Sequence, residues 1–285
     1  MIKLCAFADE ADEDLQGQIN ALHRHNIHYV ELRGINGTNV SKITCEQAKE
    51  YAAELARNGI QVWSIGSPIG KVDIELDFQE HMDKLRHVCQ IANIFGADRI
   101  RMFSFYNAFE KEAVVLERLN QMVQLAAGYG VALCHENEKK IFGDTLERNL
   151  KLLEQVPGLR YIYDPANFLE VGEDPNATMP ALHCKADYFH IKDFISETRE
   201  LVPAGHGDGQ IARLLDMIGN EDKVLTLEPH LKVFEGYSEF DSTEMNNKYT
   251  FPDNNAAFDA AVVALKELLA QQGYKEVDGG YVKGA

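Results

Sequence analysis

Four short runs in this chain end on side chains able to hold a cation or move a proton. VALCHENE (131–138) closes on His135, Glu136, Asn137 and Glu138, and RYIYDPAN (160–167) on Asp164 and Asn167. DYFHIKD (187–193) carries His190, Lys192 and Asp193, and KVLTLEPH (223–230) carries Glu228 and His230. Each run is apolar and β-like until that point. One strand-end acid is ordinarily structural or solvated, but four in succession share a cause. Alternate strand residues face the same side. That parity aligns Glu136 with Ala132 and Cys134, Asp164 with Ile162, His190 with Tyr188 and Lys192, and Glu228 with Val224 and Thr226. Three carboxylates and an imidazole converging on one point repel one another unless a cation lies between them. Three oxygen donors with one nitrogen suit Mn²⁺, Mg²⁺ or Co²⁺, and Zn²⁺ less typically. One divalent ion is therefore expected, Mn²⁺ first among them.

Such convergence needs an architecture that gathers strand ends. The β-like runs are 2–7, 28–33, 60–65, 99–104, 131–136, 160–164, 187–192 and 223–228, with helical stretches between them. Leu15, Ile19 and Leu22 repeat at helical spacing, as do Val115, Leu119, Met122 and Ala126, and Phe258, Val262, Leu265 and Leu269. Thr44 with Gln47 reads as a capping box, and Asp144 as the cap of a helix bearing Leu146, Leu150 and Leu153. Gly-containing turns precede several strands, as in NGIQV, FGADRI and GYGVAL. Eight such alternations predict an α/β chain folded as a single-domain (β/α)₈ TIM barrel, whose active site lies at the C-terminal ends of its strands. An open doubly wound sheet is the alternative, but FADEAD follows the first strand where a Gly-rich phosphate fingerprint would stand. The barrel is expected over 1–273. Within it, 231–254 is too long for an ordinary βα loop. This segment carries Phe234, Tyr237, Phe240, Tyr249 and Phe251, and is read as a lid, a subunit contact or a packed surface loop. Residues 274–285 are read as a flexible tail. Parity assigns Trp63 to the helix side of its strand, and Glu31 and Arg33 to an internal salt bridge.

The bulk properties narrow the function. Of 285 residues, 45% are hydrophobic and 26% charged, as in an average soluble domain, and the formal net charge is −17. Nucleic-acid binders draw their affinity from basic clusters that neutralise phosphate, and none is present, so nucleic acid is not an expected partner. No apolar run approaches the ~18 residues of a membrane span, and acids follow the short apolar start at once, unlike a signal peptide. Five scattered cysteines without a CxxC argue against a disulfide framework and a thiolate zinc site. Cytoplasmic residence is the expectation.

HENE, YxxDPAN, FHIKD, PAGHGDG and LEPH, in this order and spacing, resemble the xylose isomerase-like TIM-barrel superfamily. Its members include D-tagatose 3-epimerase, hydroxypyruvate isomerase and inosose dehydratase, and the resemblance covers nearly the whole chain. It implies that Glu136, Asp164, His190 and Glu228 bind one divalent metal, and that Glu136 and Glu228 are the catalytic pair. The implied activity is sugar isomerisation or epimerisation on a keto-sugar or cyclitol. A metal chelated by a ketone and its neighbouring hydroxyl stabilises the developing enediolate while a carboxylate removes the α proton. A dehydratase or other lyase on a keto-sugar, keto-cyclitol or 3-keto-glycoside is the alternative on the same site. A metal-dependent phosphoesterase resembling the abasic-site endonucleases ranks lower. Three positions depart from the ketose 3-epimerases: Asn167 where many relatives carry histidine, Phe142 in place of an acid, and Ser196 in place of an arginine. The family commonly forms dimers or tetramers, so a homo-oligomer is an expectation carried by the resemblance.

Substrate contacts are expected from Asn167, Lys192, His206 and Glu138. Lys192 shares the inward parity of His190 and suits a substrate oxygen or a leaving group. His206 sits in a glycine-bracketed turn able to approach a ligand. Glu138 keeps the parity of Glu136 and is its understudy. His230 is read as a residue that supports the site from behind or is simply structural.

Overall fold

A computed structural model of the chain describes residues 1–234 and 245–284. Eight parallel strands form the barrel: β1 (Ile2–Ala6), β2 (Tyr29–Leu32), β3 (Gln61–Gly66), β4 (Arg99–Met102), β5 (Ala132–Glu136), β6 (Arg160–Tyr163), β7 (Tyr188–Ile191) and β8 (Lys223–Leu227). β8 pairs back onto β1 from Ile2 opposite Lys223 to Ala6 opposite Leu227, which closes the cylinder. Helices α1 (Leu15–Arg24), α2 (Cys45–Arg57), α3 (Phe78–Phe95), α4 (Glu112–Gly128), α5 (Leu146–Gln155), α6 (Pro165–Glu170), α7 (Pro175–Leu182), α8 (Ile211–Ile218) and α9 (Asn254–Gln271) surround it. Their apolar stripes explain the layer. Ile19, Leu22, Leu119, Met122, Val262 and Leu265 are fully buried between helix and strand. No helix among the described residues is long and apolar enough to cross a membrane.

Local signals act where the residues placed them, with three corrections. The capping box of α2 closes in both directions: Gln47 N donates to Thr44 Oγ1 at 3.2 Å, and Thr44 N to Gln47 Oε1 at 2.9 Å. The cap of α5, however, is Thr145, which accepts from Arg148 N. Asp144 falls one residue early, inside a 3₁₀ turn, and pairs with Arg148 instead.

The second correction concerns Trp63, which points into the barrel. Val30 faces Val62 but Glu31 faces Ser64, a bulge that inserts one residue into β3 and shifts the alternation. The indole then packs edge-on to Tyr29 and Tyr188 at 6.1 Å each, beneath the Arg99 guanidinium. With Cys5, Cys134, Ile162 and Val224 these rings fill the lower barrel.

The third correction concerns the C-terminus, which is not a loose tail. Tyr274–Val277 (β9) and Gly280–Lys283 (β10) form an antiparallel hairpin that joins β1 through Tyr281 opposite Ile2. Its turn residues Asp278 and Gly279 both have positive φ, the geometry that Asp-Gly favours in a two-residue hairpin. Tyr274 locks it with its hydroxyl, which lies 2.7 Å from the carbonyl oxygens of both Leu215 and Gly219 and donates its one proton between them.

Candidate metal centre

The C-terminal ends of β5 to β8 meet over this packed floor. Asn137 ties two of them together: its Nδ2 donates to the Asp164 carbonyl at 2.8 Å, and its Oδ1 accepts from Asp164 N and from the Tyr161 hydroxyl at 3.0 Å each. Asp164 then caps α6, with Oδ1 accepting from Asn167 N at 3.0 Å and Pro165 opening the helix. This leaves Oδ2 turned into the barrel. One ligand atom from each of Glu136, Asp164, His190 and Glu228 lies within 4.8 Å of the others, and all four residues are buried. His190 Nδ1 stands 2.9 Å from Glu136 Oε1 and 3.2 Å from Glu228 Oε2. Asp164 Oδ2 and Glu228 Oε2 close no hydrogen bond of good geometry, although cations lie within ion-pair range. The donor set is hard, oxygen-rich and incompletely satisfied, which fits a divalent cation.

An outer frame, not foreseen from the residue pattern, holds these groups. Arg101 on β4 reaches across the barrel and places Nη1 3.3 Å from both Glu136 Oε2 and Glu228 Oε1. Arg33, just past β2, is stacked between Phe7 and Phe234; it donates to both oxygens of Asp9, to Glu10, and to Glu228 Oε1 at 3.1 Å. Asn167 Nδ2 donates to Glu136 Oε1 at 3.2 Å. The two arginines thereby occupy Glu136 Oε2 and Glu228 Oε1 from outside, while Asn167 and His190 meet at Glu136 Oε1. The expected salt bridge between Glu31 and Arg33 does not form: Arg33 turns to Asp9, Glu10 and Glu228, and the Glu31 carboxylate holds Tyr188 and His190.

The electrostatics follow from burial. Burial opposes the charge on His190, yet Glu136 and Glu31 outweigh it and hold the imidazole well above its ordinary range. Burial likewise favours a neutral Glu228, but Lys192, His190 and His230 keep it well below the usual carboxylate range. Asp164 is pushed to about 7 by burial, with Lys192 offsetting part and the Glu136 and Glu228 charges adding to the rise. Glu10 rises to about 8 by burial despite Arg33.

Of the remaining predicted contacts, Asn167, Lys192 and Glu138 border the cluster. Lys192 Nζ lies 3.2 Å from Asp164 Oδ2 and 4.0 Å from Glu228 Oε2, and Glu138 pairs with Lys71 at 2.9 Å. His206 does not join them. It is exposed beside Tyr249. The glycines of its turn approach a protein carboxylate: Gly205 N, Gly207 N and Gly209 N all donate to Asp193, and a Cβ at Gly207 would come within 2.4 Å of Asp193 Oδ1. His230 stacks on Phe234 and reaches Glu10 at 3.4 Å and Glu228 at 3.7 Å, so it borders the site. Phe234 thus contributes a wall from the long loop, while Tyr237 and Phe240 lie outside the described residues. All five cysteines are free, with Cys5, Cys89 and Cys134 buried and Cys184 exposed.

Residues 19–242 match the protein family described as xylose isomerase-like TIM barrel. A 3-dehydroshikimate dehydratase of Bacillus anthracis is 23% identical over 175 residues, which are 59% of this chain and 62% of that relative's length. Among solved structures, the probable 3-DHS dehydratase involved in petrobactin synthesis from the same organism superposes with a TM-score of 0.72. It shows 16% identity and covers 93% of this chain and 99% of its own. The IOLI protein with a zinc atom gives 0.73 at 15% identity, over 95% and 99%. D-psicose 3-epimerase from Clostridium cellulolyticum H10, solved with D-tagatose, gives 0.71 at 14%, over 93% and 98%.

Proposed function

The chain belongs to the xylose isomerase-like TIM-barrel family, and from that premise we propose that it is a divalent-metal-dependent sugar or cyclitol isomerase or epimerase. In this reading it transfers a proton α to a carbonyl. The observation that carries it is the buried cluster of Glu136, Asp164, His190 and Glu228, in which Asp164 Oδ2 and Glu228 Oε2 close no hydrogen bond. Those four residues would hold the metal, which supplies Lewis-acid polarisation of the substrate carbonyl and charge neutralisation. Mn²⁺ fits the donor set, and Mg²⁺, Co²⁺ and the zinc of one structural neighbour are its rivals.

The chain's own side chains do the rest. Glu228, kept ionised by Lys192 and His190, takes the α proton. Glu136, oriented by Asn167 and Arg101, delivers a proton on the other side of the substrate. Lys192 and Asn167 bind substrate oxygens, and Glu138 with Lys71 lines the approach. The free cysteines support a reducing compartment, the cytoplasm. The net charge of −17 supports a small carbohydrate rather than nucleic acid as partner.

A second reading on the same site is a dehydratase. It is favoured by Lys192, a buried cation close to Asp164 and Glu228 and suited to protonate a leaving hydroxyl, and by the dehydratase named among the relatives. The test has two stages. Chelator-free protein reloaded with Mn²⁺ should hold about one ion per chain, lost or greatly weakened in His190→Ala and Glu228→Gln. Keto-sugars and keto-cyclitols are then screened in D₂O. Deuterium gain with the carbon skeleton and oxygens intact supports the isomerase, and loss of water supports the dehydratase. Failure of the wild type to bind metal after reloading refutes both.

A further inference from the structure

His190 has two ring nitrogens, and only Nδ1 faces the carboxylate cluster. Its Nε2 points the other way and lies 3.1 Å from Oε2 of Glu31, a fully buried residue of β2. Glu31 is itself held in place. Its Oε1 accepts from the Tyr188 hydroxyl at 2.8 Å, and that hydroxyl stands 3.1 Å from Ser64 Oγ. The bulge between β2 and β3 is what sets Ser64 opposite Glu31. The register of three strands, β2, β3 and β7, is thus committed to aiming one carboxylate at the far side of one imidazole.

The chemistry of that contact is directional. An imidazole binds a cation through the nitrogen that carries no proton, and the partner of the opposite nitrogen decides which one that is. A carboxylate accepts and does not donate. Once a cation displaces the proton that Nδ1 shares with Glu136 and Glu228, Glu31 therefore keeps the remaining proton on Nε2 and leaves the Nδ1 lone pair to the cluster. A buried acid facing only apolar groups would be a liability, and here its two oxygens are used by Tyr188 and His190. From this we infer that Glu31 is a positioning residue for the metal centre: it fixes the tautomer and ring orientation of His190 and raises its strength as a ligand. The inference rests on the reading of Glu136, Asp164, His190 and Glu228 as the ligand set.

Zn²⁺ serves as the probe, because it is diamagnetic. Long-range ¹⁵N–¹H spectra of the zinc-loaded protein should show His190 protonated at Nε2 and not at Nδ1. Glu31→Leu fills the same volume without an acceptor and should weaken zinc binding by about 10–100-fold. Glu31→Gln should recover part of that loss, since its amide oxygen can face Nε2 while Tyr188 turns to donate to Ser64. Both variants are compared by competition with a chromophoric chelator, after their circular dichroism is matched to wild type; should the leucine variant not fold, the spectrum and the glutamine variant decide. A proton on Nδ1, or a dissociation constant within about threefold of wild type in the leucine variant, overturns the inference. So does a glutamine variant indistinguishable from wild type in a leucine variant's absence. A wild type that takes up no zinc overturns it together with the ligand set. A wild type that binds zinc with the Nε2 proton in place, yet exchanges no proton on any carbonyl substrate, leaves the role of Glu31 standing and refutes the enzymatic reading alone.

Discussion

Arg101 offers the sharpest test of how the centre is held together. Its Nη1 sits 3.3 Å from one oxygen each of Glu136 and Glu228, and its Nη2 donates to the Gly66 carbonyl. At that separation each ion pair amounts to roughly 5 kcal/mol for an effective dielectric of about 20. Much of this is cancelled by the cost of burying the guanidinium. Replacing Arg101 by Met keeps the length between Phe7 and Phe103 but removes the charge, leaving two buried carboxylates short of a counter-ion. Glu228 keeps Arg33 and Glu136 keeps Asn167, so the net loss should fall in the range of about 3–5 kcal/mol seen when one partner of a buried pair is deleted.

The assay is urea unfolding followed by circular dichroism at pH 7.5, with chelator and with saturating Mn²⁺. The deficit should be full in chelator and smaller with metal, because an ion bound only by the folded state stabilises it by mass action and supplies the missing positive charge. A variant within about 1 kcal/mol of wild type in chelator would refute the reasoning, since Arg101 would then be no more than a surface-grade ion pair.

Two further outcomes follow from residues outside the centre. His81 accepts from Gly70 N at 3.1 Å, and burial, followed by Lys84 and Arg118, lowers it from 6.5 to about 4. The unfolded chain therefore binds the proton first. The stability this group contributes is complete above pH 6.5 and is lost as pH falls toward 4, by about 3 kcal/mol; urea midpoints across that window should slope, and His81→Gln should flatten them. Gly70 has φ +86°, and a Cβ there would stand 2.0 Å from the Phe103 carbonyl oxygen, whereas Gly59 at φ +69° has open space around it. Gly70→Ala should cost more than about 3 kcal/mol, and Gly59→Ala only about 1–2 kcal/mol. Equal losses in denaturant melts would show that backbone strain, not the collision, dominates.

Much of the architecture was legible because its signals are local. A strand's period of two and a helix's 3.6 are read within one segment, and so were the eight alternations and the inward parity of Glu136, Asp164, His190 and Glu228. Parity misplaces Trp63 because a bulge breaks the alternation silently, with no residue in β3 that announces it. The hairpin at 274–283 was legible in principle: VDGGYV carries the Asp-Gly turn with an aromatic at the next alternate position. Its strands are four residues each, too short for a period to show, and the burial of Tyr274 and Tyr281 depends on partners far along the chain.

The amino-acid order by itself determined which side chains could meet at the strand ends, because chemistry and alternation are properties of each strand alone. Only the tertiary structure decided what surrounds them. Arg101 meets Glu136 and Glu228 across 35 and 127 positions of chain, Arg33 meets Glu228 across 195, and Glu31 meets His190 across 159. No periodicity reports such contacts. Closing the cylinder sets which residues of opposite strands share a height, and that height turns a lone arginine or glutamate inside a strand into a partner of the site.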